Sequence, residues 1–272
     1  MAAHERGVRV RFVTDSDDVD EGAVRQLVRA GIPVVEDERG AIMHDKFVII
    51  DSQVVWTGSW NLTENGTYRN NNNAMRIVSA ALAENYTSEF DEMFIDRAFG
   101  PTSASDTPHP EVVIARPEIG ERVRIDNYFA PEDGVLDRIL ELVEGAGESI
   151  RFMAFSFTDD RLGEVLKRQS KAGIEVQGVF EARGSDTEYS EYGRLSCARP
   201  LLDVLTDGNP YILHHKVIIV DDKIVILGSF SFREGANELN DENVLFIHDR
   251  DVAALYRGEF ERMYQQALHA GD

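Results

Sequence analysis

At 272 residues, 43% hydrophobic and 9% aromatic, the chain is long enough for one large or two modest domains with packed cores. Its 49 acidic against 28 basic residues give a formal charge of −21, which repels a nucleic-acid backbone over most of the surface, so a polyanion has to be met at a local basic site. The same charge also reads as a solvated surface or an adaptation to salt. The lone Cys197 excludes an internal disulfide framework, no apolar run approaches the roughly 20 residues of a membrane span, and Met1 to Arg9 holds no apolar stretch that could serve as a signal peptide.

From the first residues onward the chain states one pattern twice. His44-Asp45-Lys46, Asp51 and Gly58-Ser59-Trp60-Asn61 recur 170 residues later as His214-His215-Lys216, Asp221 and Gly228-Ser229-Phe230-Ser231. The offset holds without a gap through Asn73/Asn243, Glu89/Glu259, Phe90/Phe260 and Met93/Met263. A period of that length is a duplicated domain rather than a solenoid unit. Gly7-Val8-Arg9-Val10 matches Gly173-Ile174-Glu175-Val176, so the first copy, residues 1–98, corresponds only to the later part of the second. On this reading the first domain lacks roughly 45 to 50 residues at its N-terminus, judged by the second copy. A signal peptide ahead of such a truncated start would make the protein an exported one, so its compartment stays open.

Residues 99–118 begin with the proline- and small-residue-rich stretch Phe99 to Pro110 and are read as a linker. The second, complete domain is placed at 119–272. Val123 to Ile125 opens it as a strand, and Pro131-Glu132-Asp133 starts a helix with Val135, Leu136, Ile139, Leu140 and Val143 on one face, stopped by Gly145 to Gly147. Ser149 to Phe157 alternates as a strand. Thr158 or Asp159 caps a helix bearing Leu162, Val165 and Leu166, Ala172-Gly173 ends it, and Ile174 to Phe180 is the next strand. The polar stretch Glu181 to Arg199 reads as a long surface loop, Tyr211 to Val220 and Lys223 to Leu227 as strands, and Ala253 to Ala267 as a final amphipathic helix. Alternating strands and helices imply an α/β fold with mixed sheets flanked by helices.

The chemistry sits in the repeat. In a strand, positions i and i+2 share a face, so His44 with Lys46 and His214 with Lys216 project in pairs. Imidazole serves as nucleophile or proton donor near neutral pH, and ammonium neutralises phosphoryl charge as it grows. Glycine admits close backbone approach, and the hydroxyls of Ser59 and Ser229 add donors. One His-x-Lys alone is most often an exposed strand face, whereas two in register with Asp and Gly-Ser point to one shared site. Lysines beside both histidines repel a cation, so no metal and no cofactor is expected. His215 alternates away from His214 as a packing or supporting residue, Trp60 is read as core packing like its repeat partner Phe230 with the lining of a substrate pocket as the alternative, and His4, His109, His248 and His269 take surface positions.

The pattern His-x-Lys-x4-Asp-x6-Gly-Ser resembles the HKD motif of the phospholipase D superfamily, and the flanking Phe155-Ser156-Phe157-Thr158 and Asn240-Asp241-Glu242-Asn243 resemble it as well. The resemblance implies two pseudo-twofold-related α/β/α domains with one site at their interface, cleaving phosphodiesters through a phosphohistidine without metal. It further implies that His44 and His214 are nucleophile and general acid/base, that Lys46, Lys216 and Asn61 clamp phosphate, and that Glu242 holds a catalytic imidazole, His44 being favoured. Asp51 and Asp221 are taken as structural. The phosphate-binding set is completed by Ser59, Ser229 and Ser231. Two departures stand out: Ser231 replaces the usual asparagine with a shorter side chain that reaches phosphate only through water, and Asn72 replaces the carboxylate of the first copy, where its amide oxygen can still accept an imidazole N–H.

A phospholipid headgroup is the expected substrate and a nuclease activity the alternative. A non-catalytic binding module is the third reading, motivated by Ser231, Asn72 and the short first copy. No stable nucleic-acid complex is expected, and a monomer suffices because the two repeats supply one site; the oligomeric state stays open.

Overall fold

A computed structural model describes residues 1–117, 120–198 and 202–270. The first copy opens on a single turn, α1 (Ala2–Glu5), followed by β1 (Phe12–Thr14), α2 (Gly22–Arg29) and β2 (Val34–Glu36), with β1 and β2 paired in parallel. Strands β3 (Phe47–Ile50), β4 (Val54–Gly58) and β5 (Ala74–Val78) form an antiparallel meander, with α3 (Glu64–Tyr68) between the last two and α4 (Ala80–Asp91) after them.

The second copy contributes β6 (Glu111–Arg116), β7 (Glu121–Ala130), α5 (Val135–Glu144), β8 (Ser149–Ala154), α6 (Asp160–Lys171) and β9 (Glu175–Phe180). After these come α7 (Ala182–Ser185), α8 (Glu191–Ser196), β10 (Leu202–Thr206), β11 (Lys216–Val220), β12 (Ile224–Gly228), α9 (Glu234–Glu238), β13 (Glu242–His248) and α10 (Arg250–Ala270). Its strands form one mixed sheet in the order β10-β9-β8-β11-β12-β13-β7-β6. Only the β8-β9-β10 ladder is parallel, as the crossover helix α6 requires.

Both faces of this sheet are covered, so β8 and β11 are buried along their whole length. On one face Leu136 and Ile139 of α5 and Leu162 and Leu166 of α6 pack on Phe152, Phe180 and Ile218. Helix α6 starts where it does because Asp159 Oδ1 accepts the Leu162 N–H at 3.0 Å. The other face is shared between the copies: Val217, Leu245 and Phe129 pack with Phe260 and Met263 of α10 and with Val55, Ile77, Leu82 and Tyr86 of the first copy. Tyr86 meets the rings of Phe47 and Phe129 edge-on, with centroids 4.9 and 5.2 Å away. The domain interface is therefore a continuous apolar core.

The first copy differs in one respect that bears on its packing. Its β1-β2 pair and its three-stranded meander are separate sheets, whereas in the second copy β8 joins the equivalent strands. Among the described residues no counterparts of β8, α5 or α6 cover the meander's outward face, and Val48, Ile50 and Val78 are 40, 43 and 57% exposed. Ile218 and Val220, the equivalents of the first two, are 1 and 2% exposed.

Several boundaries differ from the sequence reading. The loop expected from Glu181 to Arg199 folds into the short helices α7 and α8, capped by Glu181 and Ser190; Arg199 lies outside the described residues. The stretch 99–118 is not a linker throughout, because Glu111–Arg116 adds itself to the sheet as its edge strand. Its last residue, Glu118, and the expected first residue of the second domain, Ile119, are also outside the described residues. Strand β10 is an addition to the elements that the sequence predicts. Strand β8 stops at Ala154 rather than Phe157, β11 begins at Lys216 rather than Tyr211, and α10 extends the last helix in both directions.

Candidate active site

The histidines lie just before β3 and β11, in extended segments rather than inside the strands. Each segment is anchored by the other copy. His44 N–H donates to the Asp241 carbonyl at 2.9 Å, and His214 N–H donates to the Asn71 carbonyl at 2.6 Å. The isolated bridges Met43–Asp241 and Asn71–Leu213 are equivalent under the repeat, since adding 170 to 43 and 71 gives 213 and 241. The two segments thus cross the interface as a pseudo-dyad.

The motif glycines end β4 and β12 at φ +150° and +155°, tight against the neighbouring strand. A Cβ at Gly58 would come within 2.4 Å of the Asn73 carbonyl oxygen, and one at Gly228 within 2.0 Å of that of Asn243, so glycine is required at both. The serines that follow are fully buried. Ser59 Oγ accepts Asn73 N–H and Nδ2–H at 3.2 Å, and Ser229 Oγ accepts Asn243 N–H at 3.0 Å. The expectation that these hydroxyls meet substrate phosphate is corrected accordingly: they tie β4 to β5 and β12 to β13 beneath the site.

The two imidazoles have different partners. His44 Nδ1 lies 2.7 Å from Glu242 Oε2 of the other copy, and Asn240 Nδ2 donates to the second carboxylate oxygen at 3.2 Å. Burial alone would raise the Glu242 pKa, yet its bond to His44 and the charge of Lys46 hold it below the usual carboxylate value. Burial also pushes His44 down to about 4, against the raising pull of Glu242. His214 Nδ1–H instead donates to the Ser59 carbonyl at 2.9 Å, which leaves Nε2 as acceptor, 3.2 Å from Lys216 Nζ. Burial, with Lys216 and Lys46 beside it, drives His214 down to about 2. Asn72, expected to stand behind a histidine as Glu242 does, donates to the Gly66 carbonyl at 2.7 Å, and a backbone carbonyl takes the place foreseen for its amide oxygen.

Lys46 Nζ is held by the His44 carbonyl at 2.8 Å, and burial brings it down to about 8. Lys216 is 2% exposed; its ammonium contacts the His214 carbonyl at 3.3 Å and lies 4.7 Å from the Phe155 ring centroid. Burial and then the charge of Lys46 put Lys216 well below the ordinary lysine value. The Phe155 ring also packs 4.6 Å from the His214 imidazole. Two desolvated ammonium groups next to two neutral imidazoles make a site whose missing charge is an anion.

The cleft beside these groups has a volume of about 320 Å³ and is bordered by His44, Ile42, Phe155, Glu181, Ser231 and Arg233. Asn61 is half-buried at the end of β4 and is not among the cleft-lining residues. Asp221 accepts the N–H groups of Gly147, Glu148 and Ser149 at 2.7–3.2 Å, closing the β11-β12 turn onto β8. Asp51 adopts the same left-handed backbone but is exposed, and no strand among the described residues lies beneath it to cap. His215 is buried between Asn73 and Glu259, 3.1 and 3.2 Å away. Trp60, expected in the core like Phe230, is half-exposed and donates to Thr67 Oγ1. His4, His109 and His248 bond elsewhere, to Ala30, Glu84 and Asp126.

Residues 1–94 and 139–264 match the family described as cardiolipin synthase, PLD-like domain. The chain belongs to this phospholipase D-like family. A phospholipase D of Rickettsia typhi is 32% identical over 154 residues, covering 56% of this chain and 74% of that one. Human mitochondrial cardiolipin hydrolase is 31% identical over 134 residues, 49% of this chain and 52% of its own. Among solved structures, NucT from Helicobacter pylori superposes with a TM-score of 0.50 at 26% identity, over 53% of this chain and 97% of NucT. Phosphatidylserine synthase of Haemophilus influenzae shares the fold over 95% of this chain and 74% of its own, with a TM-score of 0.67 at 15% identity. Like its phospholipase D-like relatives, the chain is a phosphodiester hydrolase.

Proposed function

We propose that the chain hydrolyses the headgroup phosphodiester of a phospholipid through a covalent phosphohistidine, with His44 as nucleophile. The observation that carries the reading is the His44–Glu242 contact. A carboxylate on Nδ1–H fixes the tautomer that leaves Nε2 unprotonated, and it stabilises the positive charge that the ring acquires on attack.

In the first step His44 Nε2 forms a bond to phosphorus as the bond to the leaving alcohol breaks, and protonated His214 gives that alcohol its proton. The bound phosphodiester anion supplies the opposite charge that favours the protonated form of His214. In the second step neutral His214 takes a proton from water, the water oxygen attacks phosphorus, and the P–N bond breaks to release His44 and a phosphate monoester. Lys46 and Lys216 neutralise the equatorial oxygens throughout. Ser231, at the cleft wall, adds a further phosphate contact.

The strongly acidic chain favours a phospholipid over a nucleic acid, whose backbone would meet mostly like charge. A nuclease is the second reading, because Arg233 on the cleft wall adds a cation to the two lysines and one phosphodiester at the dyad needs few outside contacts. The test is direct comparison of substrates. Phospholipid vesicles should yield phosphatidic acid and free headgroup alcohol, at a rate well above cleavage of a single-stranded oligonucleotide. Cleavage of the oligonucleotide with no headgroup release would reverse the order.

A further inference from the structure

Each of the two histidine-bearing segments is closed by a side-chain contact across the dyad that the reaction scheme does not use. On the His44 side the Arg39 guanidinium pairs with the Asp241 carboxylate, donates to the Leu239 carbonyl at 3.2 Å and lies 3.5 Å from Asp37 Oδ2. Asp241 also accepts the Gly100 N–H, and its own carbonyl holds His44 N–H. Position 39 corresponds to 209 in the repeat, and 241 corresponds to 71. There the Asn209 amide donates to the Asn71 side chain, whose backbone carbonyl holds His214 N–H. The same two positions therefore lock each histidine to the opposite copy, by a half-buried ion pair on one side and by neutral amides on the other.

We propose that Arg39 is a positioning residue for His44, acting through Asp241, and that Asn209 plays the weaker equivalent part for His214 through Asn71. Asp241 immediately precedes Glu242, so a displacement there moves both the backbone acceptor and the carboxylate that aim the His44 ring. The charge-assisted clamp is roughly twice as strong as a neutral one, and it stands on the side where a ring must be held in line with phosphorus. The softer clamp stands behind the residue that serves two partners in turn, the leaving alcohol and then water. The inference rests on the phosphohistidine reading above, with His44 as nucleophile.

Pre-steady-state cleavage of bis(p-nitrophenyl) phosphate separates the two clamps. The p-nitrophenol burst reports attack by His44, and the following steady rate reports hydrolysis of the phosphoenzyme. Arg39→Gln should slow the burst by about a hundredfold, the effect of a displacement of about 1 Å, with the substrate dissociation constant read from the concentration dependence of the burst changed less than about twofold. Arg39→Lys should recover about tenfold of that loss. Asn209→Ala should leave the burst rate intact and slow the steady rate by about tenfold. If Arg39→Gln does not fold, Asp241→Asn, which keeps the shape and removes the charge, should give the same burst defect. An unchanged burst in the folded Arg39 or Asp241 variant overturns the proposal, as does an equal loss of both phases in the Arg39 and Asn209 variants. Failure to trap phosphoenzyme either in the parent or in His214→Ala, with turnover of the parent intact, would instead remove the phosphohistidine reading and the proposal with it.

Discussion

His44 and Glu242 belong to different copies of the repeat, yet the Nδ1 and Oε2 atoms lie 2.7 Å apart, and Glu242 is fully buried. The carboxylate thus has no better partner than the imidazole of the opposite domain. Glu242→Gln keeps the shape and removes the charge that stabilises the ring as it becomes cationic. It should lower kcat by about 10²- to 10⁴-fold with little change in KM, measured by steady-state hydrolysis of bis(p-nitrophenyl) phosphate.

The pH profile follows from the free-site groups. For bis(p-nitrophenyl) phosphate, whose leaving group departs without the proton of His214, His44 attacks only when neutral, and its pKa is brought down to about 4, so kcat/KM for that substrate should hold until the pH falls to about that value. Lys46 clamps phosphate only when charged, and its pKa is brought down to about 8, so the profile should fall again above about pH 8. In Glu242→Gln the raising pull on His44 is gone, and the acid limb should move to lower pH. A profile rising through pH 7 to 9 would mean that neither group titrates as described.

Asp221 and Asp51 occupy the same place in the repeat with different work to do. Burial alone would raise the Asp221 pKa, but three backbone N–H groups donate to it and, with the charge of Lys223, hold it below the usual carboxylate value. A folded pKa below the unfolded one gives stability that is present above the unfolded value, near pH 4, and lost as the pH falls through the folded one. At pH 7 Asp221→Ala should cost about 1–2 kcal/mol in urea unfolding, against less than about 0.5 kcal/mol for Asp51→Ala. Equal costs would show that the turn onto β8 contributes nothing.

Lysines rather than a divalent cation neutralise the phosphoryl oxygens in this account, so saturating EDTA should leave the hydrolysis rate unchanged within error. Loss on chelation, restored by one divalent ion, would assign the charge neutralisation to a metal.

Much of this site was legible because a repeat is read by register. The offset of 170 between His44 and His214 picks out the two His-Lys pairs of the candidate site, and the same offset links Arg39 to Asn209 and Asn71 to Asp241, a correspondence that gains meaning only when seen as contact. Ser59 misled because Gly-Ser marks a close approach of two strands, and burial turns its hydroxyl inward while its carbonyl meets His214. Phe155 stood inside a recognised stretch, but sequence carries no sign that its ring faces both His214 and Lys216. In the fold, helix α5 followed from a clear apolar face. The polar stretch that holds α7 and α8 hid them because their caps, Glu181 and Ser190, are the residue types of loops as well.

The most direct test of the account is to ask which histidine becomes phosphorylated. With p-nitrophenyl phosphodiester substrate, whose leaving group needs little protonation, His214→Ala should accumulate an acid-labile, alkali-stable phosphoenzyme, because the base that activates water is gone. His44→Ala should trap none. Phosphate trapped in His44→Ala and absent from His214→Ala would contradict the central claim, making His214 the nucleophile and leaving the Glu242 contact to serve the acid/base.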